Sequence, residues 1–169
     1  YLIKPTFPYC LGNEGLFRVI DCGKQTPSIK KGDRVIIPFK EKTNWKGGWC
    51  SACTVPEEDL VKIPDTITDH VGAMCTVNPL TAYILLNESN THNTETVIIQ
   101  NAANSNLGRW ISYLAESLSI TCLNIVRSKK AQASLSDNAQ KTSYVYTEKI
   151  EKEIIKTMGY TELALNGVG

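Results

Sequence analysis

Ile98-Ile99-Gln100-Asn101-Ala102-Ala103-Asn104-Ser105-Asn106-Leu107-Gly108 is an apolar run that breaks into small and polar residues and then opens a helical period. An anionic diphosphate needs backbone N–H groups, the positive end of a helix, and side chains small enough to let it approach. The usual answer is G-x-G-x-x-G between a strand and a helix. In that frame Ala103 and Ser105 replace the first two glycines, and Gly108 keeps the third, which lets helix pack on strand. Asn104 and Asn106 tolerate a left-handed backbone better than most residues, and Asn104 and Ser105 add side-chain donors. Taken alone, the stretch also reads as an ordinary strand-to-helix connection.

Nineteen residues past Gly108, a second apolar run, Ile120 to Val126, ends on Arg127. An acidic residue about 20 positions past such a turn takes the ribose 2′-hydroxyl of NAD, whereas an arginine accommodates the 2′-phosphate of NADP. Ser128 can donate to the same phosphate, and Lys129 and Lys130 follow. Lysines at a helix start are common and carry little by themselves. Arg127 at that address points to NADPH as the cofactor.

These residues need a strand–helix–strand frame, and the rest of the sequence supplies one. The first sixty residues read as strands and turns: Leu16 to Ile20, the Lys31-Gly32-Asp33 turn, Arg34 to Phe39, and a strand ending near Pro56, with Lys62-Ile63-Pro64 closing this all-β part. Thr68 is a candidate N-cap for a helix through Cys75, and Pro79 suits the first turn of a second helix through Leu86. Strands are expected at Thr96 to Gln100, Ile120 to Val126, Tyr144 to Tyr146 and Leu163 to Val168. Between them, Leu107, Trp110, Ile111, Leu114 and Leu118 mark one helical face, and Ile150, Ile154, Ile155 and Met158 another. Strand and helix in that alternation predict a parallel sheet with covering helices.

The whole-chain properties exclude several partners. With 169 residues the chain can bury a real core, and 42% hydrophobic against 21% charged residues is the balance of a globular protein. A net charge of +1 gives no electrostatic reason to bind nucleic acid or an anionic membrane. Val97 to Ile99 and Tyr83 to Leu86, the longest apolar runs, are far short of a membrane span. Cys50-Ser51-Ala52-Cys53 has the spacing of half a zinc site or a redox pair, but no second half follows. Cys50 and Cys53 therefore read as two unpaired thiols near a strand, several of the six scattered cysteines sit in apolar stretches as small buried hydrophobes, and a reducing compartment is expected. His70 and His92 have no ligand set around them, so no metal is expected. The chain opens on Tyr1 in mid-pattern and stops just after an apolar strand, so both ends read as internal.

Gly12-Asn13-Glu14-Gly15, Gly32-Asp33-Arg34-Val35-Ile36, Thr76-Val77-Asn78-Pro79-Leu80-Thr81-Ala82-Tyr83, Gln100-Asn101-Ala102-Ala103-Asn104-Ser105, Asn124-Ile125-Val126-Arg127 and Leu163-Ala164-Leu165-Asn166 follow one another in a telling order and spacing. Together they resemble the mitochondrial trans-2-enoyl-thioester reductases, the zinc-free branch of the medium-chain dehydrogenase/reductase superfamily. The likeness covers essentially the whole chain. The Val-Asn-Pro-x-Thr-Ala-Tyr and Asn-Ala-Ala-Asn-Ser blocks are specific to that branch, whereas Gly-Asp-x-Val is shared across the superfamily.

The resemblance implies an α/β fold: a partial GroES-like β-domain over residues 1–65, N-terminally incomplete, then a partial Rossmann doubly wound parallel sheet over 66–169, C-terminally incomplete. It implies NADPH-dependent reduction of the 2,3 double bond of enoyl thioesters, on coenzyme A or acyl carrier protein, in mitochondrial fatty-acid synthesis. A homodimer is implied for the full-length protein. Cofactor contacts are implied at Asn78, at Asn104, Ser105, Asn106 and Leu107, and at Arg127, Ser128 and Lys129. The family's usual run at the last place is Arg-Asp-Arg, from which Ser128 and Lys129 depart. The family's catalytic tyrosine stands twelve positions before the Asn of Gly-Asn-Glu-Gly, which here is Tyr1, with Pro5 and Pro8 keeping the same register. Zinc-dependent relatives have a His where this chain has Asn13, in keeping with a metal-free site. Trp49 matches a family tryptophan that either lines the acyl cleft or fills the β-domain core. Two rival readings are an NADPH-dependent quinone or enone reductase and a truncated, non-catalytic nucleotide-binding remnant. The chain alone, ending after its fourth Rossmann strand, is expected to be inactive.

Overall fold

The computed structural model describes residues 11–38, 47–88, 97–158, 161 and 163–167. Tyr1, Pro5, Pro8, Phe39, His92 and Val168 lie outside the described residues. The chain divides into two compact units, Tyr1–Val77 and Asn78–Gly169.

In the first unit, β1 (Leu16–Arg18), β2 (Arg34–Ile36) and β3 (Val61–Lys62) form an antiparallel sheet in the order β1-β2-β3. Phe17 stands opposite Val35, and Ile36 opposite Val61. Gly32, with φ +95°, makes the turn before β2. Asp33 fixes that turn from both sides: one carboxylate oxygen accepts from the Lys30 N–H at 2.9 Å and the other pairs with Lys62 Nζ at 2.7 Å. Val35, Ile36, Ile37, Ile29 and Ile63 form the buried side of this unit. Arg34 is also buried, and its guanidinium donates to Pro64 O, Ile67 O and Asp69 Oδ1. It thereby holds the approach to α1 (Asp69–Gly72), which Thr68 caps as expected.

Two expectations change here. Helix α1 is a single turn instead of running to Cys75, because Thr76 Oγ1 and Val77 N both donate to the Glu14 carboxylate, at 3.0 and 3.1 Å. The strand expected to end near Pro56 is absent among the described residues; Ser51 to Thr54 are exposed and have no face to bury. A short 3₁₀ turn, Glu57–Asp59, follows instead.

The Asp33 pair makes a pH prediction. The hydrogen bond from Lys62, then that from the Lys30 amide, holds the Asp33 carboxyl below its ordinary 3.8. A group depressed in the folded state stabilises fully above its unfolded value and loses that contribution as pH falls through the folded one. An Asp33→Asn variant should therefore be less stable than the wild type near neutrality, and the difference should shrink as pH drops below about 4. Denaturant titrations at a series of pH values check this; a gap unchanged into acid would remove the ionised carboxylate as its cause.

The second unit opens with α2 (Asn78–Glu88), with Pro79 in its first turn as expected. Then come β4 (Val97–Gln100), α3 (Asn106–Ser117), β5 (Thr121–Val126), α4 (Lys129–Gln132), α5 (Asp137–Lys141), β6 (Ser143–Val145), α6 (Ile150–Met158) and β7 (Leu163–Leu165). The four strands are parallel in the order β6-β5-β4-β7. One face packs Ile98, Cys122, Ile111, Ala115, Ala82 and Leu86 together, from β4, β5, α3 and α2. The opposite face packs Leu123 on Ile150 and Ile154 of α6. Helices therefore cover both faces of a parallel sheet, as the alternation of periods predicts. Helices α4 and α5 go beyond what hydrophobic periodicity can find. Each is about one turn long and is set by a serine cap, Ser128 or Ser136, instead of an apolar stripe.

Candidate nucleotide site

Strand order reverses between β4 and β7, and in open α/β sheets ligands sit at that switch point, beyond the carboxyl ends of the strands. Asn101, one residue past β4, ties the two ends together. Its Nδ2 donates to Asn166 Oδ1 at 2.7 Å, and its Oδ1 accepts from the Gly167 N–H at 2.6 Å. A cavity of about 160 Å³ opens there, lined by Gln100, Asn101, Ser105, Leu107, Asn166 and Gly167 among others.

The turn from β4 to α3 is built for a close approach. Ser105 is the N-cap of α3, with extended backbone, and its Oγ accepts from the Gly108 N–H at 3.0 Å. Ala103 is fully buried, and its N–H donates to Ile125 O of β5 at 3.3 Å. A Cβ at Gly108 would lie 2.7 Å from both Ala102 O and Ala103 Cα, so helix and turn are in backbone-to-backbone contact. A side chain at the third glycine would thus clash with main chain, and the turn leads into the N-terminal, positive end of a twelve-residue helix. The left-handed residue of the turn is Ala102, with φ +49°, and not Asn104 or Asn106 as expected. Asn106 is already helical, and Ser105 needs extended backbone to cap.

Beneath the turn lies a polar layer that the sequence reading missed. Gln100 is buried in β4, and its Nε2 donates to Gly108 O at 3.0 Å and to Asn124 Oδ1 at 2.7 Å. Ser112 Oγ reaches the same Asn124 oxygen at 2.9 Å, and Asn124 Nδ2 donates to Ala139 O at 3.3 Å. Two amides inside apolar strands are the signal that marks such a layer, since buried polar groups require partners. Gln100 Oε1 is buried without a hydrogen-bond partner among the described residues, and Gln100 is one of the residues lining the cavity. Cys122 joins this layer; burial pushes its thiol up to about 12, so it is a packing group and not a nucleophile.

Arg127 follows the last residue of β5 and is exposed. Gln100, the last residue of β4, pairs with Asn124, and β5 runs on beside the turn to Val126 before Arg127. Ser128 caps α4, its Oγ accepting from Ala131 N at 3.2 Å, which leaves the hydroxyl proton for a ligand acceptor. Lys129 is the first residue of α4 and is exposed. The structure thus gathers Asn104, Ser105, Asn106 and Leu107 on one turn, and Arg127, Ser128 and Lys129 at the end of the neighbouring strand. Asn78 opens α2, half-buried. Tyr1 lies outside the described residues. In the first unit, Trp49 is 76% exposed, with its N–H donating to Leu11 O, so it fills no core there. Cys50 and Cys53 are both exposed. Among the described residues no three His, Cys, Asp or Glu side chains gather as a metal site, and no helix is long and apolar enough to cross a membrane.

No protein-family model matches the chain. Among curated proteins it is similar over its whole length to "Enoyl-[acyl-carrier-protein] reductase, mitochondrial" of Xenopus tropicalis, at 36% identity, and of Mus musculus, at 34%. It covers 49% and 46% of these proteins, so the chain spans about half the length of the curated relatives it matches. Among solved structures, the Candida tropicalis mitochondrial 2-enoyl thioester reductase Etr1p/Etr2p heterodimer superimposes with a TM-score of 0.77 at 28% identity, over 94% of this chain and 49% of that one. An Etr1p complex with NADP and crotonyl-CoA gives 0.76 at 27%, with the same coverage. A Pseudomonas syringae quinone oxidoreductase gives 0.81 over 98% of this chain and 50% of that one, and at 24% identity this shows a common fold alone.

Fold and turn together define the class: an α/β chain with a Rossmann-type parallel sheet following, in sequence, an antiparallel β unit, the fold it shares with these solved structures. By sequence, the chain is similar over its whole length to about half the length of the mitochondrial enoyl-[acyl-carrier-protein] reductases.

Proposed function

We propose that the complete protein reduces the 2,3 double bond of a trans-2-enoyl thioester with NADPH, in mitochondria, on coenzyme A or acyl carrier protein. One observation carries this reading. A glycine-closed phosphate turn stands at the switch point, with a guanidinium at the end of the next strand. The relatives named above, and the Etr1p complex with NADP and crotonyl-CoA, supply the substrate class.

The site suits the nucleotide. The Ser105 cap and the first N–H groups of α3 receive the diphosphate, and the Gly108 contact keeps the approach free of side chains. Arg127, Ser128 and Lys129 hold the 2′-phosphate. Asn78, Asn104, Asn106 and Leu107 complete the contacts. The bound nicotinamide supplies a hydride for the β-carbon. Tyr1 meets the substrate: a phenol, with an ordinary pKa of about 10, is a donor at neutral pH. Its hydroxyl either delivers the α-carbon proton or hydrogen-bonds the thioester oxygen as charge develops there.

We further read residues 1–65 as the GroES-like part and 66–169 as the nucleotide-binding part, and the full-length protein as a homodimer. Crotonyl-CoA and NADPH given to the complete protein should be consumed together. Turnover of a quinone in place of the thioester would move the protein to the quinone reductases. Tyr1→Phe in the complete protein should lower turnover on the order of a hundredfold while NADPH affinity holds. Unchanged turnover would remove Tyr1 from the mechanism.

A further inference from the structure

Arg109, an exposed residue in the first turns of α3, has contacts that a solvated surface arginine does not need. Its Nε donates to Asn104 O in the phosphate turn at 3.2 Å. Its Nη2 donates to Ser134 Oγ at 3.2 Å, in the bend between α4 and α5. Ser134 Oγ in turn donates to Ala131 O at 2.7 Å, and Ala131 N donates to Ser128 Oγ at 3.2 Å. A continuous series of hydrogen bonds therefore runs from Asn104, through one guanidinium, to Ser128. Its two ends are the places read above as the diphosphate turn and the 2′-phosphate address.

We propose that Arg109 is a positioning residue that sets the spacing between these two phosphate-binding ends, and so decides how well the chain takes a ligand phosphorylated at both positions. The inference rests on the nucleotide reading and adds a residue to it. The physical reason is the planar fork of arginine. Its N–H groups point in fixed directions, so a guanidinium bonded at two places fixes the distance between them, which an ammonium cannot do. The β4–β5 pairing and the Ala103 N–H to Ile125 O bond hold the two strands together up to the turn, and Arg109 continues that link outward to the segment carrying Ser128. A ligand that must reach both ends gains from the fixed spacing, whereas a ligand touching one end is indifferent to it.

The test uses adenosine 2′,5′-bisphosphate, which carries both phosphates, with 5′-AMP and 2′-AMP as one-ended probes, titrated calorimetrically into the complete protein and its variants. Arg109→Ala should weaken the bisphosphate on the order of tenfold and leave each monophosphate within about twofold. Arg109→Lys keeps the charge without the fork and should be as weak as Arg109→Ala. Ser134→Ala cuts the far end of the bridge without touching the turn and should reproduce the selective loss, even if the Arg109 variants fold poorly. Rescue by Arg109→Lys would overturn the proposal in favour of simple charge. An equal loss for 5′-AMP, or a Ser134→Ala variant that binds like the wild type, would overturn it also. A wild-type protein with no preference for the bisphosphate over 5′-AMP is a separate result, which removes the nucleotide reading itself.

Discussion

Gly108→Ala should destabilise the second unit by about 3 kcal/mol and abolish nucleotide binding. The expectation comes from what the new methyl meets. Ala102 O and Ala103 Cα would be 2.7 Å from it, and Ala103 O 2.8 Å. These are main-chain atoms, so no side chain can swing away. Relief requires α3 to lift from the turn, which pulls Gly108 O off Gln100 and Gly108 N off Ser105. Gly167→Ala is the control. It lies at the same crevice, but its Cβ would come no closer than 3.5 Å to Ala102 Cβ and Asn101 O, an ordinary contact. It should change stability by less than about 0.5 kcal/mol. Thermal or denaturant unfolding reads both. A Gly108→Ala protein as stable as the wild type would mean that helix and turn are not in backbone contact.

The second large effect is a change of cofactor preference. Removing the Arg127 guanidinium in the complete protein should cost NADPH about 2–3 kcal/mol, on the order of a hundredfold in affinity, and cost NADH almost nothing. Charge-assisted bonds to phosphate are strong and have no counterpart on a plain ribose. Arg127→Asp should go further, repelling the phosphate and offering the ribose hydroxyls an acceptor. Calorimetric titration with each coenzyme gives the two affinities directly. Equal losses for both would assign Arg127 to the fold and leave the phosphate to other residues. High salt should weaken the NADPH complex of the wild type more than that of Arg127→Ala.

Much of this frame is legible in the residues. Alternating strand and helix periods after Asn78 specify the parallel sheet, and Thr68, Pro79 and Gly108 each stand where local chemistry puts them. Polar features were harder to see. Gln100 and Asn124 look like isolated amides until the sheet register sets them side by side. The left-handed position at Ala102 was hidden because alanine is a poor candidate for it, and the surrounding bonds override that preference. The strand expected near Pro56 failed for lack of a face to bury. Arg109 carries no sequence signal; only the folded turn shows what it joins.

The buried amide pair has a consequence for how the sheet assembles. The other residues of β4 and β5 are mostly apolar, Val97, Ile98 and Ile99 on one strand and Cys122, Leu123, Ile125 and Val126 on the other, and apolar contact alone distinguishes one alignment from another only weakly. A two-residue slip would face each carboxamide with hydrocarbon and strand it, costing about 1–3 kcal/mol per group. Gln100 and Asn124 thus serve as a proofreading key: they favour the one alignment that sets the last residue of the first strand beside Asn124 and lets the second strand run on past it to Val126.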